Sequence, residues 1–304
     1  MNPAPRRAAA RLGGLALVAV ALAGCLDVPV ASVSPPIPPT PEPTPPSTTY
    51  TLGTAVWYEG LLITVEDATA TLDERGGPVI VRLKLENPAQ DDADLNSRVL
   101  LQVDAGSSDP PIAPTRESKI PTVPGGGTAE ATLTYELQGI PSADNAVLLV
   151  GELPLHVARV PFTAAGGAAL VYEPIDLSLS GAGAAGDLRI TLRSAVTRWD
   201  LPDWSEELSA QLAVITVTYD VTYLGDFSGG FAFTGDNVAL RLPAGNWIGA
   251  RHDGHSQSIE LIGAGKTAKG LSSRFEVPYG TTGRFALVVR NGSTSKVIPF
   301  RIPG

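Results

Sequence analysis

From Tyr50 onward the chain is written in short runs in which apolar and polar residues alternate, separated by Gly, Pro, Asn and Asp. In PVIVRLKLENP, Val79, Val81, Leu83 and Leu85 fall on one side of an extended strand, and Arg82, Lys84 and Glu86 on the other. AVITVTYDVTY repeats the pattern: Ile215, Val217, Tyr219, Val221 and Tyr223 alternate with Thr216, Thr218, Asp220 and Thr222. No stretch sustains a helical period, and the best helical candidate is one or two turns around Ser205 to Ala210. Asn291-Gly292, lying between two strand-like runs, predicts a tight hairpin.

The pattern also repeats in the same order along the chain. GLLITVEDA at 60–68 matches DLRITLRSA at 187–195, and each is followed by a loop and a long alternating strand. The segment 118–141 lines up with 259–280, AVLLVG at 146–151 with FALVVR at 285–290, and ARVPF at 158–162 with KVIPF at 296–300. Two units of about seven strands suit an all-β fold of two tandem immunoglobulin-like antiparallel sandwiches, spanning 50–163 and 168–304, with the boundary between Ala164 and Ala169.

The strand and turn motifs resemble a bacterial family of telokin-like immunoglobulin-fold domains found in secreted proteins and lipoproteins. In the first unit the resemblance rests on the Gly60–Asp67 strand, Val79–Asn87 ending in Glu86-Asn87-Pro88, and the Val123-Pro124-Gly125-Gly126 turn. The second unit departs from it: Gly225 stands where Asn is expected, Gly263-Ala264-Gly265 lacks the Pro-Gly turn, and an insertion runs from Trp199 to Ala210. The resemblance implies a fold and brings no catalytic residue with it.

The N-terminal region follows a different pattern. Arg6, Arg7 and Arg11 precede an apolar run from Leu12 to Ala23, the layout of an export signal over residues 1–24, and the run is too short for a membrane span of roughly 20 residues. Leu22-Ala23-Gly24-Cys25 resembles the lipobox of bacterial lipoproteins. That resemblance implies cleavage before Cys25, a diacylglycerol on its thiol, and a chain anchored to a bacterial cell or outer membrane on the extracytoplasmic side. Residues 25–49 read as a disordered linker, because Ser34 to Thr48 holds eight prolines in fifteen residues. At about 3.1 Å per residue a polyproline stretch of this length spans on the order of 45 Å.

Cys25 is the one cysteine of 304 residues, so an exported chain has no internal disulfide and must rely on its cores. Loss of the signal removes three arginines and no carboxylate, taking the formal charge from −9 to −12. A surface so acidic on average opposes nucleic acid and anionic head groups. The expected partners are the membrane, through the anchor, and a protein or small ligand at the cell surface.

The residues with candidate chemistry are few. Trp199, Asp200, Asp203 and Trp204 of the insertion can form a stacking platform with polar arms for a sugar, peptide or cation; alternatively both indoles fold back over an open sandwich edge. His252, Asp253 and His255 offer two imidazoles and a carboxylate to a metal without a clear further ligand, and Asp253-Gly254 reads rather as the tip of a solvated loop. Asp91, Asp92 and Asp94 lack the interleaved glycine and terminal glutamate of a calcium loop. Gly263 to Thr267 lacks the spacing of a phosphate loop, and Ser293 to Lys296 sits in a hairpin rather than on a helix. The expectation is a non-catalytic binding or scaffolding module without cofactor beyond the lipid. The alternative is a ligand- or metal-binding accessory protein of an envelope transporter or enzyme.

Overall fold

The computed structural model describes residues 45–95, 98–104, 109–252 and 259–304. Among the described residues there is no α-helix, only three single turns of 3-10 helix. The signal segment and Cys25 lie outside the described residues.

The first sandwich contains β1 (Ser47–Tyr58), β2 (Leu61–Thr71), β3 (Gly76–Glu86), β4 (Val99–Gln102), β5 (Thr128–Gln138), β6 (Val147–Val150) and β7 (Ala158–Pro161). One sheet has the antiparallel order β1-β2-β3-β5, the other β4-β6-β7. Setting β1 aside, the first sheet holds the A, B and E strands and the second the C, F and G strands of an immunoglobulin-type sandwich. The alternation in β3 places Val79, Val81, Leu83 and Leu85 in the core, each no more than 1% exposed. Side chains buried to that degree contribute roughly 1.5–3 kcal/mol apiece.

The second sandwich has β8 (Ile175–Ser178), β9 (Ala182–Ala185), β10 (Leu188–Arg198), β11 (Asp200–Leu201), β12 (Glu206–Glu207), β13 (Leu212–Tyr223) and β14 (Phe231–Phe233). It continues with β15 (Val238–Arg241), β16 (Trp247–Gly249), β17 (Glu260–Ile262), β18 (Thr267–Pro278), β19 (Gly283–Asn291) and β20 (Thr294–Ile302). One sheet runs β18-β13-β10-β8 with β9 also on β10, and the other β16-β15-β19-β20. Every stretch matched in the sequence repeat occupies the same topological place in both sandwiches: β2 and β10, β5 and β18, β6 and β19, β7 and β20. The place of β1 beside β2 is taken by β8 and β9 beside β10.

Two turn readings hold, the hairpin with its two turn residues at Gly292 and Ser293. Asn291 pairs with Thr294 across the β19–β20 hairpin, and Gly263 to Lys266 closes a turn between β17 and β18 through the Lys266 N–H donating to the Gly263 carbonyl, at 3.0 Å. In the first sandwich the Asn87 and Pro-Gly-Gly motifs are neighbours in space: Asn87 Nδ2 donates to the carbonyls of Asp91 (2.8 Å) and Val123 (3.0 Å). Gly125 is required there, because a Cβ on it would lie 1.8 Å from the Gln90 carbonyl oxygen. The acidic cluster serves the same turn. Asp92 accepts from the Gly125 N–H at 3.1 Å and Asp94 from the Thr122 hydroxyl at 2.5 Å.

Two expected boundaries move, and one expected helix is absent. Ser47 to Thr49 belong to the first sandwich rather than the linker, paired with Thr69 to Thr71. The chain leaves that sandwich later than residue 163: Leu170 exchanges both backbone hydrogen bonds with Arg159, and Tyr172 still packs on the first core. No helix forms at Ser205 to Ala210. The insertion instead folds as a small β11–β12 hairpin around a 3-10 turn at Pro202–Trp204, with Ser205 in the left-handed region at φ 47°.

Candidate functional site

The insertion between β10 and β13 packs against the first sandwich. Its Ala210 N–H donates to the Pro154 carbonyl at 2.9 Å, and Ser209 forms a bridge with Leu155. The β1–β2 turn meets it from the other side: the Gly60 N–H donates to Asp200 Oδ2 at 2.7 Å and the Glu59 N–H to Glu207 Oε2 at 3.1 Å. Gly60 lies tight against the insertion. A Cβ on it would stand 2.5 Å from Pro202 Cα, and its φ of +84° already disfavours a side chain.

The seam closed by these contacts buries four ionisable residues: Glu59, His156, Asp200 and Glu207, each no more than 4% exposed. Arg98, at the start of β4, reaches Glu59 Oε1 at 3.0 Å, the Tyr58 hydroxyl at 3.2 Å and Glu152 at 3.4 Å. Arg198, at the end of β10, forms a two-pronged pair with Asp200 at 2.7 and 3.0 Å, and its guanidinium lies 4.7 Å from the ring centre of Trp57. His156 Nδ1 lies 3.1 Å from the Leu208 carbonyl and 3.2 Å from Glu207 Oε1, so one proton there can serve either acceptor. Tyr172 and Tyr279 enclose the imidazole at 4.7 and 5.5 Å between ring centres.

Burial sets the charge states. Desolvation, reinforced by Asp200 and Glu59 and opposed by the Glu59 N–H and Arg198, pushes the Glu207 carboxyl up to about 9. Desolvation lowers the His156 imidazole below its ordinary value, against the pull of the Leu208 carbonyl and Asp200. At neutral pH both groups are uncharged, and the seam contains two balanced pairs, Arg98–Glu59 and Arg198–Asp200. Each pair lies within one sandwich, so what a slip of the sandwiches breaks is the set of contacts across the seam, leaving the Glu59 and Gly60 N–H groups and the His156 imidazole without their buried partners.

The residues singled out in the sequence fall as follows. Trp199 is half-buried against Tyr172 and Tyr279, at 5.9 and 6.4 Å between ring centres. Trp204 packs on a small core of Leu201, Leu208 and Val214. Asp203 pairs with Arg274. The polar arms of the expected platform are therefore engaged within the chain, and the loop is spent on joining the two sandwiches. His252 is exposed with Nε2 3.4 Å from Asp236 Oδ1; Asp253 and His255 lie outside the described residues. Among the described residues no group of three or more His, Cys, Asp or Glu side chains is placed to hold a metal.

Glu59, Arg98, His156 and Glu207 were not read as a site from sequence, because each is ordinary in its own segment. The available signal was the insertion itself, twelve residues with no counterpart in the first unit and carrying Glu206-Glu207 next to an apolar stretch.

Neither the scan of family models nor the search of curated proteins finds a match. Among solved structures the chain is similar to a functionally unknown protein from Listeria monocytogenes EGD-e, with 17% identity and a TM-score of 0.32, covering 43% of this chain and 89% of that one. It is also similar to a conserved domain protein from Bacillus anthracis, with 11% identity and a TM-score of 0.23, covering 84% and 90%.

Proposed function

We propose that the chain is a lipid-anchored, extracytoplasmic, non-catalytic binding or scaffolding module whose two sandwiches work as one body. The observation that carries the coupling is the buried seam, in which Gly60, Glu59 and His156 of one sandwich are bonded to Asp200, Glu207 and Leu208 of the other. Fixing two β surfaces at a set spacing during folding spares a partner the entropic cost of ordering them on binding. The anchor is supported by the export signal at 1–24 and the lipobox-like Leu22-Ala23-Gly24-Cys25. No helix among the described residues is long and apolar enough to cross a membrane.

The test is intact mass and detergent phase partitioning of the protein from its own membrane beside a Cys25→Ser variant. The reading expects a wild-type chain that begins at a lipidated Cys25 and enters the detergent phase, and a variant that stays unprocessed or soluble. Unlipidated wild-type protein released to the medium overturns the anchor.

A further inference from the structure

The outer sheet of the second sandwich departs from the acidic average. Strands β15, β16, β19 and β20 carry Arg241, Arg284, Arg290, Lys296 and Arg301 without one Asp or Glu, in a chain of formal charge −9. Register assigns the faces. Phe285, Leu287 and Val289 of β19 and Ile298, Phe300 and Ile302 of β20 are buried in the core. Alternation therefore sends Arg284, Ala286, Val288 and Arg290 to the opposite face, together with Val297, Pro299 and Arg301; the arginines, Val297 and Pro299 are exposed there, whereas Ala286 and Val288 are buried. Arg241 is the cross-strand neighbour of Ala286 on one side and of Trp247 on the other, which brings it to the same face.

None of these four arginines forms a salt bridge among the described residues, whereas Arg82, Arg98, Arg193, Arg198, Arg251 and Arg274 each face a carboxylate. Arg241 and Arg284 line a cleft of about 480 Å³ together with Pro243, Ala286, Val297 and Pro299. Trp247, 48% exposed, has Arg290 at 5.0 Å from its ring centre. Arg284 and Arg290 are six residues apart on one strand, so the cationic row extends roughly 20 Å.

We propose that this face binds an anionic polysaccharide, with Arg241, Arg284 and Arg301 taking its carboxylates at one end and Arg290 at the other. Guanidinium forks match carboxylates in two-pronged geometry, and the exposed Pro243 and Pro299 rings suit the C–H faces of sugar rings. A protein partner fits less well, since the large exposed apolar residues on this face are Trp247 and Val297 alone. Single-stranded nucleic acid calls for several stacking aromatics, and here one indole is already faced by an arginine. The proposal gives the binding module of the preceding reading a ligand class and is independent of its anchor.

The experiment is calorimetric titration of the full chain with polygalacturonate oligomers at low and at physiological salt, with neutral dextran and a single-stranded oligonucleotide in parallel. Wild type should bind polygalacturonate saturably and more weakly as salt rises, and should not bind dextran. Arg241→Ala with Arg284→Ala should lose about tenfold or more in affinity with an unchanged unfolding midpoint, while Arg116→Ala with Lys119→Ala on the first sandwich should bind as wild type does. Absence of saturable binding, equal binding of dextran, or a double variant that binds like wild type overturns the proposal. An oligonucleotide bound as tightly as polygalacturonate also overturns it. None of these outcomes bears on the fate of Cys25.

Discussion

Replacing Glu207 by Gln should remove a pH dependence that the seam imposes on folding. In the folded chain the Glu207 carboxyl is pushed up to about 9, while in the unfolded chain it titrates near its ordinary 4.5. A raised carboxyl means that the folded state holds a proton the unfolded state has released, so its contribution to stability is greatest below pH 4.5 and is lost as pH rises towards 9. At about 1.4 kcal/mol per pH unit, one such proton removes about 2 kcal/mol between pH 7 and pH 8.5. His156 works the other way: its lowered imidazole destabilises the fold as pH falls below its ordinary value of 6.5, so it adds little above pH 7. Urea unfolding at half-unit steps from pH 7 to 8.5 should show stability falling in wild type and nearly constant in Glu207→Gln. Parallel profiles for the two proteins would refute the assignment of a neutral, buried Glu207.

Gly60→Ala should cost about 3 kcal/mol or more in urea unfolding, since its Cβ meets the Pro202 backbone at 2.5 Å in a left-handed conformation. It should also expose the linker near Tyr172 to limited proteolysis. Arg198→Ala leaves Asp200 buried without its cation and should cost about 3–5 kcal/mol, read by the same denaturation. Phe275→Ala, in the second core and fully buried, should lose about 3–5 kcal/mol. Phe227→Ala, at a side chain 64% exposed, should stay within about 0.5 kcal/mol of wild type.

The sandwiches were legible in the sequence because a period of two leaves its mark on every long strand: the inward residues of β3 and β13 are those the alternation picks out. The repeat was legible for the same reason, since β2 and β10 face equivalent cores and keep equivalent apolar positions. The seam was not, because it is made by single residues from the β1–β2 turn, the start of β4, the β6–β7 loop and the insertion, brought together only by docking. Asp200 illustrates the difference. In sequence it stands between two tryptophans as a polar arm for a ligand, whereas in the fold its oxygens are taken by Arg198 and by the Gly60 N–H. The basic outer face was hidden by the mean charge, since Arg241, Arg284, Arg290 and Arg301 lie on three strands that meet only in the sheet.

The coupling of the two sandwiches is the claim on which the proposed function depends, and scanning calorimetry of the full chain tests it directly. The account predicts one cooperative transition with equal calorimetric and van't Hoff enthalpies, dividing into two when Trp199 to Ala210 is replaced by a short Gly-Ser loop. Two separate transitions in the wild-type chain would contradict it.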